Sequence, residues 1–441
     1  MDDKAPLLTA LALLVLTQVW AGCILRGLFA DGCYYAARLW LQQGFVVIEP
    51  SRLTAQILVQ APVVLGMRLG ATSPQAVALL FSLSTNLTPA LLTGLAVLAL
   101  PRDRLAYALV PVFVFLTGAM ATAFASVADG PCAAAYCCLL FLLVAIAPLT
   151  PARLSLILFL SAGCLRLYES TVVIGPLLIL ACVSRARKTT GCARWILCIA
   201  ALCLAIGSLH AAYDILHPRV PANRASFMRD LANLHWLWTA GAAHIPAIAG
   251  MLAFACLRLG MLPARYQIHS RIGVIVLFAA LAMAAVALPA APISAFAGRG
   301  NACLVAAGLF GFVLATRNRS WQAGTKPRFA VMTATLLAVT VTIGNIRADL
   351  DWMRYRTALH TVLRQSDGLI AFPAAGRTTI LGRDSWPWSS PIMSLLLAPE
   401  GEVRSILLNP TGSGPQPVDP APLGPLLPLS ARAALIAAFQ H

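Results

Sequence analysis

Long apolar stretches, about eleven of them, separated by short polar loops, constrain this chain more than any other sequence feature. A run of about 20 apolar residues forms a helix that crosses the ~30 Å hydrocarbon core of a bilayer. Such a helix also satisfies its own backbone hydrogen bonds in lipid. Hydrophobic residues make up 59% of the 441 residues and charged residues 11%, with a mean hydropathy of +0.81. We therefore expect an all-α polytopic membrane protein.

The apolar stretches predict about eleven spans. The first runs from Pro6 to Leu25, and the others are expected near 76–100, 105–127, 132–148, 154–167, 171–183, 194–212, 240–257, 272–290, 301–316 and 329–345. The stretch from Leu53 to Leu69 is short and carries several polar residues, which are costly at the bilayer centre. We interpret it as an interfacial or re-entrant helix, rather than a span, within a first outer loop, 26–70.

The distribution of the net charge of +16 predicts the topology. Lys and Arg are dense in alternate loops: Pro101–Arg104, Leu149–Arg153, Ser184–Arg194, Arg258–Arg271 and Arg317–Arg328. The positive-inside rule places these loops in the cytoplasm, so the N-terminus is cytoplasmic and the C-terminus extracytoplasmic. Loop charges of this kind, without a nucleic-acid-binding motif, argue against a nucleic-acid partner. The Ala-, Leu- and Arg-rich composition favours a bacterial inner membrane.

Composition also predicts two domains. Residues 1–346 form the transmembrane domain, and residues 347–441 are less apolar and rich in Pro and Gly. This last segment has the size of a small domain and contains a predicted strand, Val403–Leu408. We expect it to be an extracytoplasmic α+β domain.

Asp31 is the first candidate for chemistry, because it follows the first span directly. A partly desolvated carboxylate beside Tyr34, Tyr35 and Arg38 has the setting of a general base, and the two tyrosines are candidate substrate contacts. The alternative is a capping residue for a helix that starts at Cys33, since Asp is favoured at caps.

Glu49 and Arg52 close the same outer loop. The planar guanidinium of Arg52 is suited to hold a phosphate or carboxylate, and Glu49 is a candidate second carboxylate. The alternative is that Arg52 and Arg68 extend towards lipid headgroups as interfacial anchors. The phosphate of a lipid-linked substrate and a lipid headgroup both bind arginine through the same contacts, so the substrate-binding and the anchoring interpretation of Arg52 both remain open.

Arg166 and Glu169 lie at the outer end of a predicted span. Ionisable residues in apolar surroundings indicate a functional site by default, and we take both as candidate substrate-binding residues. The alternative is a structural pair at spacing i, i+3, in which each charge neutralises the other.

Several chemical signatures are absent from the sequence. The chain has no phosphate-binding glycine loop, no His-Glu-x-x-His, no Gly-x-Ser-x-Gly and no dense His/Cys cluster. Nucleotide-driven pumps and hydrolases therefore lose support. The sequence predicts no cofactor; it leaves a divalent metal ion open as an alternative but provides no motif that supports one.

The layout resembles the polytopic glycosyltransferases of the C type, which use lipid-linked sugars. The resemblance rests on Asp31-Gly-Cys-Tyr-Tyr after the first span, the interfacial helix, the odd span count and the outer C-terminal domain. It implies a lipid-linked sugar donor, a glycan or lipid acceptor, and Asp31 as the residue acting on that acceptor. The family often has two adjacent acidic residues there, whereas Gly32 follows Asp31 here, so Glu49 is the candidate substitute.

Three other functions are alternatives to sugar transfer. A flippase for lipid-linked saccharides predicts a continuous polar path along several spans, but the polar residues here crowd at the outer face. A polysaccharide polymerase or ligase usually concentrates Arg in one long central loop, and the loop Tyr213–Thr239 holds only three. A structural membrane subunit without chemistry is the remaining alternative, because architecture alone does not determine function.

Overall fold

A computed structural model describes residues 5–29, 31–47, 49–120, 129–217, 306–311, 313–314, 327–365, 368–371, 390–397 and 405–408. The predicted spans at 240–257 and 272–290 lie outside these residues, as does much of the span at 301–316. The described part of the segment 347–441 comprises the end of one long helix, two short strands and one short helix.

Helices dominate the described residues, as predicted. The α-helices are α1 Ala5–Cys23, α2 Asp31–Gln42, α3 Leu53–Arg68, α4 Pro74–Leu98, α5 Leu109–Met120, α6 Asp129–Ala145, α7 Pro151–Gly163, α8 Thr171–Ala186, α9 Gly191–Leu216, α10 Pro327–Gln365 and α11 Ser390–Leu397. Short 3-10 helices are formed by Arg26–Leu28, Pro50–Arg52, Arg102–Ala108 and Cys164–Arg166. Two strands, β1 Gly368–Ala371 and β2 Ser405–Leu408, pair in parallel with Gly368 opposite Ser405.

Three helices in the described part of the chain, α1, α4 and α9, are long and apolar enough to cross a membrane. Large apolar side chains on two of them are well exposed: Leu16 by 61%, Trp195 by 71% and Leu209 by 72%. Extended exposed apolar surface marks contact with a partner or a membrane. These helices are compatible with the predicted membrane protein.

The chain divides into two compact units, each discontinuous in sequence. The first unit contains Met1–Gln18, Ile48–Gln56 and Leu87–Ile346. The second unit contains Val19–Val47, Ile57–Asn86 and Arg347–His441. The predicted domain boundary between residues 346 and 347 falls inside α10, which runs without interruption from Pro327 to Gln365.

In the first unit, α8 and α9 form an antiparallel hairpin. The hydroxyl of Ser208, near the end of α9, donates a hydrogen bond of 3.1 Å to the carbonyl of Thr171 at the start of α8. The 3-10 helix Cys164–Arg166 packs against α9 at Gly207, where a Cβ would collide with the Cys164 carbonyl group. This close approach fixes the turn that carries Arg166 and Glu169 onto α9.

In the second unit, α2 buries one face, which includes Cys33, Ala36 and Leu39. Helix α11 packs against α2 and also against β2. A strand predicted at 403–408 is present at Ser405–Leu408. The packing of α2 sets the position of Asp31, its first residue.

Candidate functional site

The ion pair between Arg52 and Glu169 is the centre of the candidate site in the first unit. Nε of Arg52 donates to both carboxylate oxygens of Glu169, at 2.8 Å to Oε1 and 3.1 Å to Oε2. The side chains are 16% and 24% exposed, respectively. The pair is thus shielded from bulk water but still accessible.

Local sequence explains how Arg52 is presented. Glu49 has extended backbone, and Pro50 then occupies the first position of the 3-10 helix that ends at Arg52. Proline fixes φ near the helical value and lacks the N–H that a first turn leaves unpaired. The amide of Arg52 donates to the carbonyl of Glu49 at 2.9 Å, which closes the turn.

Three further contacts hold the pair in place. The hydroxyl of Ser51 lies 3.3 Å from Oε1 of Glu169. The Arg52 guanidinium carbon lies 5.0 Å from the centre of the Tyr168 ring, within range of a cation–π interaction. The hydroxyl of Thr54 donates to the carbonyl of Gly163 at 2.7 Å. These contacts join the start of α3 to the turn that precedes α8.

Arg166 does not form the i, i+3 pair with Glu169 that the sequence leaves open. Residues 164–166 form a 3-10 helix, and the chain bends at Leu167 before α8 begins at Thr171. Arg166 is exposed and Glu169 half-buried. The 3-10 helix of Arg166 packs beside the 3-10 helix of Arg52, so two arginines lie on contacting elements.

Glu49 is half-buried next to this cluster in sequence. Among the described residues, neither Glu49 nor Arg166 forms an ion pair. Their substrate-binding roles stay predictions, as does the suggestion that Glu49 replaces a second catalytic carboxylate.

Asp31 lies in the second unit, at the first position of α2 and half-buried. The helix therefore starts two residues earlier than the capping alternative assumes. The Arg38 guanidinium carbon lies 6.0 Å from the Tyr34 ring centre, and Tyr34 is half-buried. Tyr35 is buried and stacks on Phe81, with ring centres 6.3 Å apart. Tyr34 is the more accessible of the two predicted tyrosine contacts.

The second unit contains another ion pair, which the sequence did not predict. Nη1 of Arg26 donates to Oδ1 of Asp349 at 2.7 Å, and the side chains are only 4% and 1% exposed. Burial raises the pKa of Asp349 to about 6, and the positive charge of Arg26 opposes this rise. Burial also lowers the pKa of Arg26, opposed by Asp349. The sequence feature that could have indicated this pair is the position of Arg26 directly after the first predicted span.

Three aromatic side chains from the two segments that carry this pair pack against each other. Phe29 meets Trp352 and Tyr355 edge-on, with ring centres 6.1 Å apart in both cases. Trp352 and Tyr355 stack on each other at 5.5 Å and are fully buried. These rings form part of the packed core of the second unit.

No group of three or more His, Cys, Asp or Glu side chains within the described ranges could hold a metal ion. No protein-family model, curated protein or solved structure matches this chain.

Proposed function

We propose that this chain is an integral-membrane glycosyltransferase. It moves a sugar from a polyprenyl-phosphate donor to a glycan or lipid acceptor at the extracytoplasmic face of a bacterial inner membrane. In this proposal the chain has about eleven transmembrane helices, a cytoplasmic N-terminus and an outer C-terminal α+β domain. The single observation that carries the proposal is the oriented, partly exposed Arg52, held by Glu169 and Tyr168.

The chemistry of a phosphate-linked donor explains this arrangement. As the bond between the anomeric carbon and the phosphate oxygen breaks, negative charge accumulates on the departing polyprenyl phosphate. A guanidinium held in a fixed orientation stabilises such charge without reorganising during the reaction. Glu169 orients Arg52 through Nε, and the exposed Arg166 on the contacting 3-10 helix adds a second positive charge.

The acceptor half of the reaction needs a base. Asp31 takes the proton from an acceptor hydroxyl as that oxygen attacks the anomeric carbon. The new glycosidic bond forms, the bond to phosphate breaks, and the polyprenyl phosphate leaves with the electron pair. The partial exposure of Asp31, the first residue of α2, supports this role, because a general base must be reached by its substrate.

A membrane-embedded enzyme suits this donor, because the polyprenyl chain stays in the bilayer. The proposal requires a lipid-facing surface, and the exposed apolar side chains on α1 and α9 support this requirement. A soluble enzyme would have to extract the donor from lipid before reacting with it. The apolar helices therefore support a donor that remains in the membrane.

The test measures sugar transfer by purified full-length protein in detergent from a mixed pool of polyprenyl-phosphate sugars. The variant Arg52→Gln is compared with Arg153→Gln, a matched control whose guanidinium binds the backbone carbonyls of Pro148 and Ala99. We expect transfer by the wild type and the control, and a loss of at least about tenfold in Arg52→Gln.

Equal transfer by both variants would contradict the role of Arg52. If the wild type transfers no sugar but moves lipid-linked saccharide across liposome membranes, the chain is a flippase and the proposal is wrong.

A further inference from the structure

The short connection between α1 and Asp31 has an unusual backbone. Leu25 has a φ of 65°, the left-handed conformation that a branched residue rarely adopts without support. The 3-10 helix Arg26–Leu28 follows, and α2 begins at Asp31. We call residues 24–29 the α1–α2 turn. Surrounding contacts must hold this turn in place, because such a conformation is costly.

Those contacts come from the parts of two helices that belong to the same unit as the turn but are distant from it in sequence. From α10, Asp349 accepts the hydrogen bond of Arg26, and the indole Nε1 of Trp352 donates to the carbonyl of Ile24 at 2.7 Å. From α4, the hydroxyl of Ser82 accepts from the amide of Gly27 at 3.0 Å. The α1–α2 turn is thus bonded on two sides.

Stability alone does not explain the ion pair within this arrangement. Two charges that are 4% and 1% exposed lose nearly all their hydration. Replacing such a pair by apolar residues of similar volume is often neutral or stabilising. What an apolar pair cannot supply is a directional bond at 2.7 Å between the turn and α10.

The α1–α2 turn also supports the first residues of α2. A Cβ on Gly32 would collide with the carbonyl oxygen of Gly27, so the start of α2 lies directly against the turn. The amide of Gly32 also donates to the carbonyl of Phe29 at 3.1 Å. A displacement of the turn is therefore transmitted to Asp31, the residue between these contacts.

We propose that Arg26 and Asp349 are positioning residues that fix the orientation of Asp31 through the α1–α2 turn. The catalytic meaning of this inference rests on the proposed function, whereas the geometric link between the pair and the start of α2 does not. Removing the directional bond then loosens residues 24–34 while the apolar packing around Trp352 remains.

Hydrogen–deuterium exchange on the full-length protein in detergent tests the geometric link. The variants are Asp349→Asn and the double replacement Arg26→Met with Asp349→Leu, which leaves no unpaired buried charge and is expected to stay folded. The matched control is Asp351→Asn on the same helix, where Asp351 pairs with the largely exposed Arg354. We expect amide exchange over residues 24–34 to rise about tenfold or more in the double variant, with α4 and α9 unchanged.

Unchanged exchange over residues 24–34 in the folded double variant would overturn the inference. So would an equal rise in all helices of the second unit, because that result indicates loss of stability alone. A sugar-transfer measurement on the same proteins adds the catalytic readout. We expect kcat to fall at least tenfold with the donor KM within about twofold of the wild type.

The two proposals fail separately in this design. If the wild type transfers no sugar, the proposed function is wrong and the exchange result still decides whether the pair positions the start of α2. If the wild type is active and the folded double variant keeps its kcat, the positioning inference is wrong and the enzyme remains.

Discussion

Arg52 and Glu169, separated by 117 residues in the chain, form a two-pronged contact from one guanidinium nitrogen to both oxygens of the carboxylate. The contact ties the 3-10 helix before α3 to the bend before α8. Because both side chains keep some exposure to water, the pair lies between a weak surface salt bridge and a fully buried one. Its geometry is the basis of the proposed donor site.

Removing the carboxylate should affect donor binding more than folding. Glu169→Ala is expected to raise the donor KM about tenfold, since Arg52 loses its orienting partner, and to lower the free energy of unfolding by about 1–2 kcal/mol. Glu169→Gln retains an acceptor oxygen and should keep most of the donor affinity. Steady-state kinetics and thermal unfolding in detergent measure these effects.

The matched control for Glu169→Ala is Asp351→Ala, which breaks the pair with the largely exposed Arg354. It should leave both the KM and the unfolding midpoint nearly unchanged. An unaltered donor KM in Glu169→Ala would refute the orienting role.

The indole of Trp352 should contribute substantially to the stability of the second unit. Trp352→Phe removes the hydrogen bond to the buried carbonyl of Ile24 and leaves unfilled volume. We expect a loss of about 2–4 kcal/mol in the free energy of unfolding. Trp195→Phe, at a side chain 71% exposed on α9, is the control and should change stability little. Comparable losses in the two variants would contradict this assignment of the core.

The first turn of α2 should not tolerate a methyl group at Gly32. The added Cβ of Gly32→Ala meets the backbone of Gly27, which cannot move as a flexible side chain can. We expect a displaced α2, a loss of several kcal/mol, and reduced transfer. Gly94→Ala on α4 adds its Cβ to open space and is expected to be neutral or slightly stabilising. Thermal unfolding of the two variants side by side decides the point.

Because the pKa of Asp349 is raised, we expect the stability of the folded protein to depend on pH. Burial raises the pKa of this carboxyl from 3.8 to about 6, with Arg26 opposing the rise. The folded protein therefore binds a proton between about pH 4 and 6 that the unfolded chain does not bind. Protonation of Asp349 therefore raises the free energy of unfolding by about 3 kcal/mol, and this contribution is fully present below about pH 4. It is lost as the pH rises through about 6.

Thermal unfolding between pH 4 and 7 measures this change. Relative to Asp349→Asn, the wild type should lose stability as the pH rises, while Asp351→Asn should follow the wild type. Parallel pH profiles for the wild type and Asp349→Asn would show that the carboxyl does not titrate in this range.

Hydrophobic runs predicted helices well where one long apolar stretch forms one helix. The span predicted at Pro6–Leu25 corresponds to Ala5–Cys23, and the span at 76–100 to Pro74–Leu98. A long apolar run predicts a helix by its length alone, without knowledge of what the helix packs against. The stretch Leu53–Leu69, which we interpret as an interfacial helix, forms a helix at Leu53–Arg68; its interfacial position stays a prediction.

The ion pairs were harder to predict, since charge spacing along the chain does not reveal partners distant in sequence. Glu169 is three residues from Arg166, yet a bend rather than a helix separates them and Arg52 takes the carboxylate. Arg26 and Asp349 are 323 residues apart, and packing of α10 near the α1–α2 turn brings them together. Tertiary contacts of this kind leave no periodic signal.

The most direct test of the proposed enzyme is sugar transfer from polyprenyl-phosphate donors by the wild type and by Asp31→Ala, with equal folding of both proteins verified by thermal unfolding. We expect transfer by the wild type and a loss of at least about a hundredfold in the variant, because the acceptor hydroxyl then lacks its base. Transfer at the wild-type rate by a folded Asp31→Ala protein would contradict the assignment of Asp31.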